Sequence, residues 1–173
     1  LGSWSEGSGR LSNFIMIEIF AGSSRMARAF NQAGFSTLSF DVERGITEDL
    51  TQKPVIDFII GLIRSDRVCF VWCGTPCSTF SRVRGLGVGP PAVRSSDHPM
   101  GLPDVADAYR DAVNMGNQLM QVTTRICRLC HDQCVPWAIE NPGYSYIWDT
   151  PSIVSLSRRH DVEKTMLDYC QYG

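Results

Sequence analysis

Phe14-Ile15-Met16-Ile17-Glu18-Ile19-Phe20-Ala21-Gly22-Ser23-Ser24 is the stretch that decides the fold. Six apolar residues around a single acid predict a strand covered on both faces, as in the centre of a parallel sheet. Ala21 to Ser24 read as a tight turn, and Ser24 is an N-cap candidate for a helix over Arg25 to Gln32. Strand, small-residue turn and helix together open an α/β unit.

The pattern continues outward from that unit. Gly34 closes the helix, and Phe35 to Phe40 form the next strand, ending at Asp41. A short third strand is expected within Gly45 to Leu50. Pro54 to Arg64 has helical spacing, with Val55, Phe58, Ile59 and Leu62 on one face. Val68 to Trp72 read as a strand, Asp104 to Gln133 as a long helix and Pro136 to Glu140 as a strand. Ser152 to Ser157 are expected to form a short helix and Val162 to Cys170 a last strand. This alternation predicts a Rossmann-like α/β fold with a doubly wound, mostly parallel sheet, in one domain over 14–173. The first thirteen residues open on a Gly/Ser-rich run and read as a linker. Cys73 to Pro103 is a loop rich in Gly, Pro and Ser, too long for a mere connection and therefore a place to look for function.

Bulk properties narrow the class. With 43% hydrophobic and 20% charged residues in a chain of 173, one globular domain with a sizeable core is expected. No apolar run reaches the ~20 residues that span a bilayer, so no membrane partner is expected. Seven cysteines form no small disulfide scaffold, which favours an intracellular, reduced protein, nuclear or cytoplasmic. A net charge of −2 does not by itself advertise nucleic acid.

Several residues stand where α/β proteins put their chemistry, at the carboxyl ends of strands. Gly22 lets a ligand approach the backbone before a helix amino terminus. Asp41, ending the second strand, suits the two hydroxyls of a ribose. A bare βα turn looks the same around Gly22, and Asp41 tips the reading toward an adenosine cofactor. Asp49-Leu50 reads either as an acid for an adenine amino group with an apolar ring contact, or as a surface acid capping the helix from Pro54. Cys77, behind Pro76 in Gly74-Thr75-Pro76-Cys77-Ser78-Thr79-Phe80-Ser81, is placed to act as a nucleophile, although a free cysteine is usually a buried small hydrophobe. Glu140, in Ala138-Ile139-Glu140-Asn141-Pro142, supplies a carboxyl at another strand end. The run from Arg82 to Arg94 carries Arg82, Arg84 and Arg94 and no acid, which suits a loop closing over a phosphate-bearing substrate; a solvated flexible loop is the plainer alternative. Cys127-x-x-Cys130-His131-x-x-Cys134 has zinc-ligand residue types, but one straight helix cannot wrap a metal tetrahedrally. Thiols packing a helix against the sheet account for it better, and no metal is expected.

In order along the chain, Phe20-Ala21-Gly22, Gly34-Phe35, Asp41, Asp49-Leu50, Gly74 to Ser81 and Glu140-Asn141-Pro142 resemble the motifs of C5-cytosine DNA methyltransferases. The resemblance implies a class I methyltransferase core that transfers a methyl group from S-adenosylmethionine to C5 of cytosine. It implies that Cys77 adds to C6, that Glu140 holds or protonates N3, and that Asn141 fixes the turn containing Pro76. Cofactor contacts would come from Glu18, Phe20, Ala21, Gly22, Ser23 and Ser24 in the first turn. Asp41, Val42, Asp49, Leu50 and Pro76 would complete them. DNA, or alternatively RNA, would meet Ser78, Ser81, Arg82, Arg84 and Arg94, with the target base flipped out or single-stranded. Ser23-Ser24-Arg25 stands where the family usually has further glycines, Pro-Cys-Ser replaces Pro-Cys-Gln, and Glu-Asn-Pro replaces Glu-Asn-Val. Asp168 to Gly173 resembles the strand leading to the family's arginine motif, so that motif and the target-recognition domain are expected beyond it. Two alternatives stand beside this reading. One is an amino-group methyltransferase using Asn141-Pro142-Gly143-Tyr144, and the other a methyltransferase-like module that binds without turnover.

Overall fold

The computed structural model describes residues 2–9, 11–87 and 89–168. They form two compact units: residues 1–76 with 114–141, and residues 77–113 with 142–173. The first is α/β and is built on five strands, β1 (Ser3–Ser5), β2 (Ile15–Ile19), β3 (Ser36–Phe40), β4 (Val68–Cys73) and β5 (Trp137–Ile139), in the order β1-β3-β2-β4-β5. β2 pairs in parallel with both β3 and β4, and β4 with β5, whereas β1 is an antiparallel edge. Every residue of β2 and β3 is buried, which explains why the opening stretch is almost wholly apolar.

Helices cover both faces of this sheet. On one side lies α1 (Arg25–Gln32): Phe30 stacks on Phe70 of β4 at 5.4 Å, and Ser24 Oγ meets Ser39 Oγ of β3. On the other lie α2 (Lys53–Ile63), whose Phe58 meets Phe40 edge-on, and α3 (Asp107–Asp132), whose Cys127 Sγ is 3.7 Å from Cys73 Sγ of β4. The chain runs from β2 outward to β3 and returns to β4 on the opposite flank of β2. The strand order therefore reverses at β2, and its carboxyl edge is the crevice where such sheets bind ligands.

The second unit has little regular structure beyond the first turns of α3, α4 (Pro151–Ser157) and a 3-10 turn over Tyr146–Asp149. Val93, Val105 and Val113 form its small apolar cluster, with Leu102 and Tyr109 packed against them. No helix among the described residues is long and apolar enough to cross a membrane.

Four expectations are corrected. The segment 1–13, read as a linker, supplies β1, and it is tied down by Ser3 Oγ to Glu48 Oε1 (2.9 Å) and Gly7 N to Ser36 Oγ (3.3 Å). No strand forms within 45–50: the chain makes 3-10 turns at Val42–Arg44 and Ile46–Glu48, and β1 takes the sheet edge beside β3. Residues 162–168 form no strand, and 163–168 are exposed; a mixed, charged segment with no partner strand has no ladder to join. Tyr169 to Gly173, which include most of the stretch compared with the arginine-motif strand, lie outside the described residues. On α2 the buried residues are Val55, Ile56, Ile59 and Ile63, a face rotated from the one expected.

Candidate active site

The turn after β2 is wound through three left-handed residues, Phe20 (φ 56°), Gly22 (φ 47°) and Ser24 (φ 53°). A bulky aromatic with positive φ is costly and is retained only where its surroundings hold it. Here Ala21 N donates to Phe40 O (3.0 Å), which fastens the turn to the end of β3, and Ser24 N donates to Ala21 O (2.7 Å), which closes the turn on itself. Gly22 is exposed, and a Cβ built on it would meet open space, so the crest of the turn is accessible.

Ser24 is the N-cap residue of α1, but its side chain caps nothing. Glu18, 5% exposed on the central strand, does that work: its carboxylate accepts from Ala27 N at 2.7 Å. Burial raises the Glu18 pKa, while N–H bonds from Ala27 and Met26 and the charges of Arg44 and Arg28 pull the other way. An anion in the first turn also suits the helix dipole. Glu18, expected to touch a cofactor, is therefore committed to the helix.

Asp41 closes the opposite side of the crevice. Its Oδ2 accepts from Gly22 N at 2.7 Å across nineteen positions, and its Oδ1 accepts from Glu43 N at 3.0 Å. The two residues read toward an adenosine cofactor are thus brought together. Behind them lies a pair that the sequence reading missed. Arg44 Nε binds Glu48 Oε2 at 2.7 Å, and its Nη1 reaches Ser24 Oγ at 3.1 Å. Buried Glu48 also accepts from Asp41 N. The i, i+4 spacing of Arg44 and Glu48 was the available signal, but it was masked by the expectation of a strand.

Asp49 and Leu50 stand differently. Asp49 accepts from Thr51 N (2.8 Å) and Gln52 Nε2 (3.3 Å); burial alone would raise its pKa, but these bonds and the Thr51 hydroxyl win and lower it. Leu50 is in the core. Val42 and Ser23 are exposed.

β4 ends at the same edge. Gly74 N donates to Ile19 O, and a Cβ at Gly74 would stand 3.0 Å from Phe20 O, so the two turns pass where a side chain would crowd them. Beyond it Thr75 is buried, its hydroxyl donating to Thr123 Oγ1 (3.0 Å), which itself donates to Leu119 O. β5 ends alongside: Glu140 N donates to Cys73 O at 2.9 Å and Asn141 Nδ2 to Thr75 O at 2.7 Å. The roots of the Pro76 turn and of the Glu140-Asn141 turn are thereby hydrogen-bonded neighbours. The half-buried Glu140 carboxylate accepts no hydrogen bond from the described residues.

Cys77 begins the second unit. Its thiol is half-buried, and its carbonyl accepts from Phe80 N at 2.9 Å. Ser78 is exposed, and Ser81 Oγ accepts from Val83 N. The arginines that follow are bound within the second unit. Arg82 pairs with Asp149 (2.6 Å), donates to Ser96 Oγ (3.0 Å) and lies over the Tyr146 ring. Arg84 donates to Pro91 O and lies over Tyr109. Arg94, expected to reach phosphate, is 2% exposed and points inward, which corrects that expectation. Cys127 and Cys130 are sealed in the core between α3 and the sheet, while Cys134 is exposed past the end of α3. Among the described residues no cluster of three His, Cys, Asp or Glu is arranged to hold a metal ion.

Comparison of the chain with models of protein families, with curated proteins and with solved structures gave no match in any of the three.

Proposed function

We propose that the chain is the catalytic core of an S-adenosylmethionine-dependent methyltransferase acting on C5 of cytosine, with DNA as the favoured substrate and RNA as the other nucleic-acid option. The observation that carries this reading is the side-by-side departure of two motifs from neighbouring strands. Glu140 N is bonded to Cys73 O and the Asn141 amide to Thr75 O, with Cys77 next in the chain after Pro76. The glycine turn and Asp41 share the same sheet edge, at the strand-order reversal.

The residues fit the cofactor unevenly. At the ribose end they fit: space is open over Gly22, and each Asp41 oxygen, although it accepts one backbone N–H, keeps a lone pair for a hydroxyl. At the adenine end Leu50 does not fit as it stands, since it is buried in the core, and Asp49, each of whose oxygens accepts a hydrogen bond, offers only its remaining lone pairs. When bound, S-adenosylmethionine supplies the methyl group.

The chain's own residues would do the rest. The Cys77 thiolate forms a bond to C6 of the pyrimidine, and Glu140 gives a proton to N3 as negative charge gathers there, an electrostatic role that works best preorganised. C5, now enamine-like, is the nucleophile toward the methyl group. Water takes the C5 proton, the double bond re-forms and the thiolate is expelled, and N3 returns its proton to Glu140. Asn141 keeps the end of β4 fixed through Thr75.

The amino-group alternative would need the Pro142 carbonyl to accept from the target amine. That oxygen already accepts from Trp148 Nε1 (2.8 Å) and Ser145 N (2.9 Å), which weighs against it.

The test is incubation with S-adenosylmethionine and oligonucleotides carrying 5-fluorocytosine, whose C5 substituent cannot leave as a proton. A denaturant-stable adduct mapped to Cys77 is expected, absent in the folded Cys77→Ser variant. Methylation of an exocyclic amine that survives Cys77→Ala would replace this reading with the amino-group one. Binding with no turnover would leave a module without catalysis.

A further inference from the structure

We propose that Arg94 is the positioning residue for Cys77, holding the turn that carries the thiol; the role assigned to the thiol rests on the function proposed above. Arg94 is 2% exposed, among the most buried side chains of the chain, although burying a guanidinium is expensive. What it holds explains its place. Nε donates to Thr79 O (3.1 Å), and Nη2 to Thr79 Oγ1 (2.9 Å) and Val113 O (3.1 Å). Nη1 donates to Pro99 O at 2.7 Å. The guanidinium carbon also lies 3.8 Å from the centroid of the fully buried Phe80 ring.

Thr79 and Phe80 follow Cys77 by two and three residues, and Phe80 N closes a turn on Cys77 O at 2.9 Å. Arg94 therefore grips the far side of that turn and ties it to the Pro99 segment and to the first turns of α3. Burial, then the charge of Arg84, depress the Arg94 pKa to about 10, which leaves it a cation at neutral pH. Only a planar fork with several fixed donors can reach three chain segments at once, so lysine cannot replace it. A loop with little regular structure has few other means of fixing a nucleophile, and a misplacement of about 1 Å can cost roughly 100-fold in rate.

Arg94→Lys and Arg94→Met test this in the whole chain, after thermal unfolding confirms that each is folded at the assay temperature. The first readout is alkylation of Cys77 by iodoacetamide, followed by peptide mass spectrometry, with exposed Cys134 as internal reference. The second is the rate of 5-fluorocytosine adduct formation against oligonucleotide concentration. Expected are a severalfold rise in Cys77 alkylation with Cys134 unchanged, and a roughly 100-fold fall in the limiting rate of adduct formation with the half-saturating oligonucleotide concentration nearly constant. A folded variant that keeps both wild-type rates, or loses adduct rate only through a higher half-saturating concentration, overturns the proposal. If the unaltered chain forms no adduct, the methyl-transfer reading fails, while the alkylation comparison still decides whether Arg94 holds the turn. Should neither arginine variant fold, Thr79→Val, which removes one acceptor and keeps the shape, is expected to shift both readouts in the same direction by less; no shift there overturns it.

Discussion

Asn141 Nδ2 donates to Thr75 O at 2.7 Å, joining positions sixty-six apart and fastening the end of β5 to the end of β4. The bond also fixes which way the amide faces, because a carbonyl can only accept. Its Oδ1 is left buried with no partner among the described residues, a cost tolerated at few positions. Asn141→Ala strips the donor from a buried carbonyl and is expected to destabilise the chain by about 1–3 kcal/mol. Urea unfolding measures this, and a variant as stable as the parent would show that the fastening is dispensable.

Glu18 gives a pH prediction. Its folded pKa lies above the ordinary value of 4.5, so its contribution to stability is fully present below that value and is lost as pH rises through the folded pKa. Glu18→Gln keeps an oxygen for Ala27 N–H and removes the titration. The melting temperature of the parent minus that of Glu18→Gln should therefore fall as pH rises above the ordinary value of 4.5. A difference that stays flat, or grows with pH, would contradict the burial of this carboxyl.

Asp41 holds the Gly22 turn and, in the function proposed, the ribose. Asp41→Ala releases Gly22 N–H and Glu43 N–H at an accessible edge, so the loss of stability should stay near that of a helix cap, about 0.5–2 kcal/mol. Binding of S-adenosylmethionine, followed by calorimetry, should weaken about tenfold or more, since hydrogen bonds to a charged group are worth roughly 1.5–3 kcal/mol. Unchanged affinity in a folded variant would remove Asp41 from the cofactor site.

The thiols should separate by reactivity. Burial, followed by the hydrogen bond and proximity of Cys73, pushes the Cys127 thiol well up, and burial likewise raises Cys130. With iodoacetamide near pH 8 the native chain should be modified quickly at Cys134, while Cys127 and Cys130 react only on unfolding. Alkylation of Cys130 at the pace of Cys134 would mean that α3 does not seal against β4.

Much of the fold could be read from local pattern. The almost wholly apolar β2 announces a central parallel strand, and the bounds of α1 match the expectation residue for residue. Those features depend on neighbours in sequence: burial on both faces demands an apolar run, and a helix shows its period within two turns. The glycine turn and Asp41 were legible for the same reason, as ends of strongly patterned strands.

What the chain alone could not disclose is where polar side chains spend their hydrogen bonds. Glu18 looked like a ligand acid and instead caps α1, and Arg94 looked like a phosphate contact and instead lies in the interior. Ser3 to Ser5 looked like linker and became a sheet edge. Periodicity reports which positions are apolar, but a charged residue carries the same letter whether it faces solvent or fills a socket of carbonyls. Only the folded backbone, by bringing orphan donors and acceptors together from distant positions, decides which of the two it does.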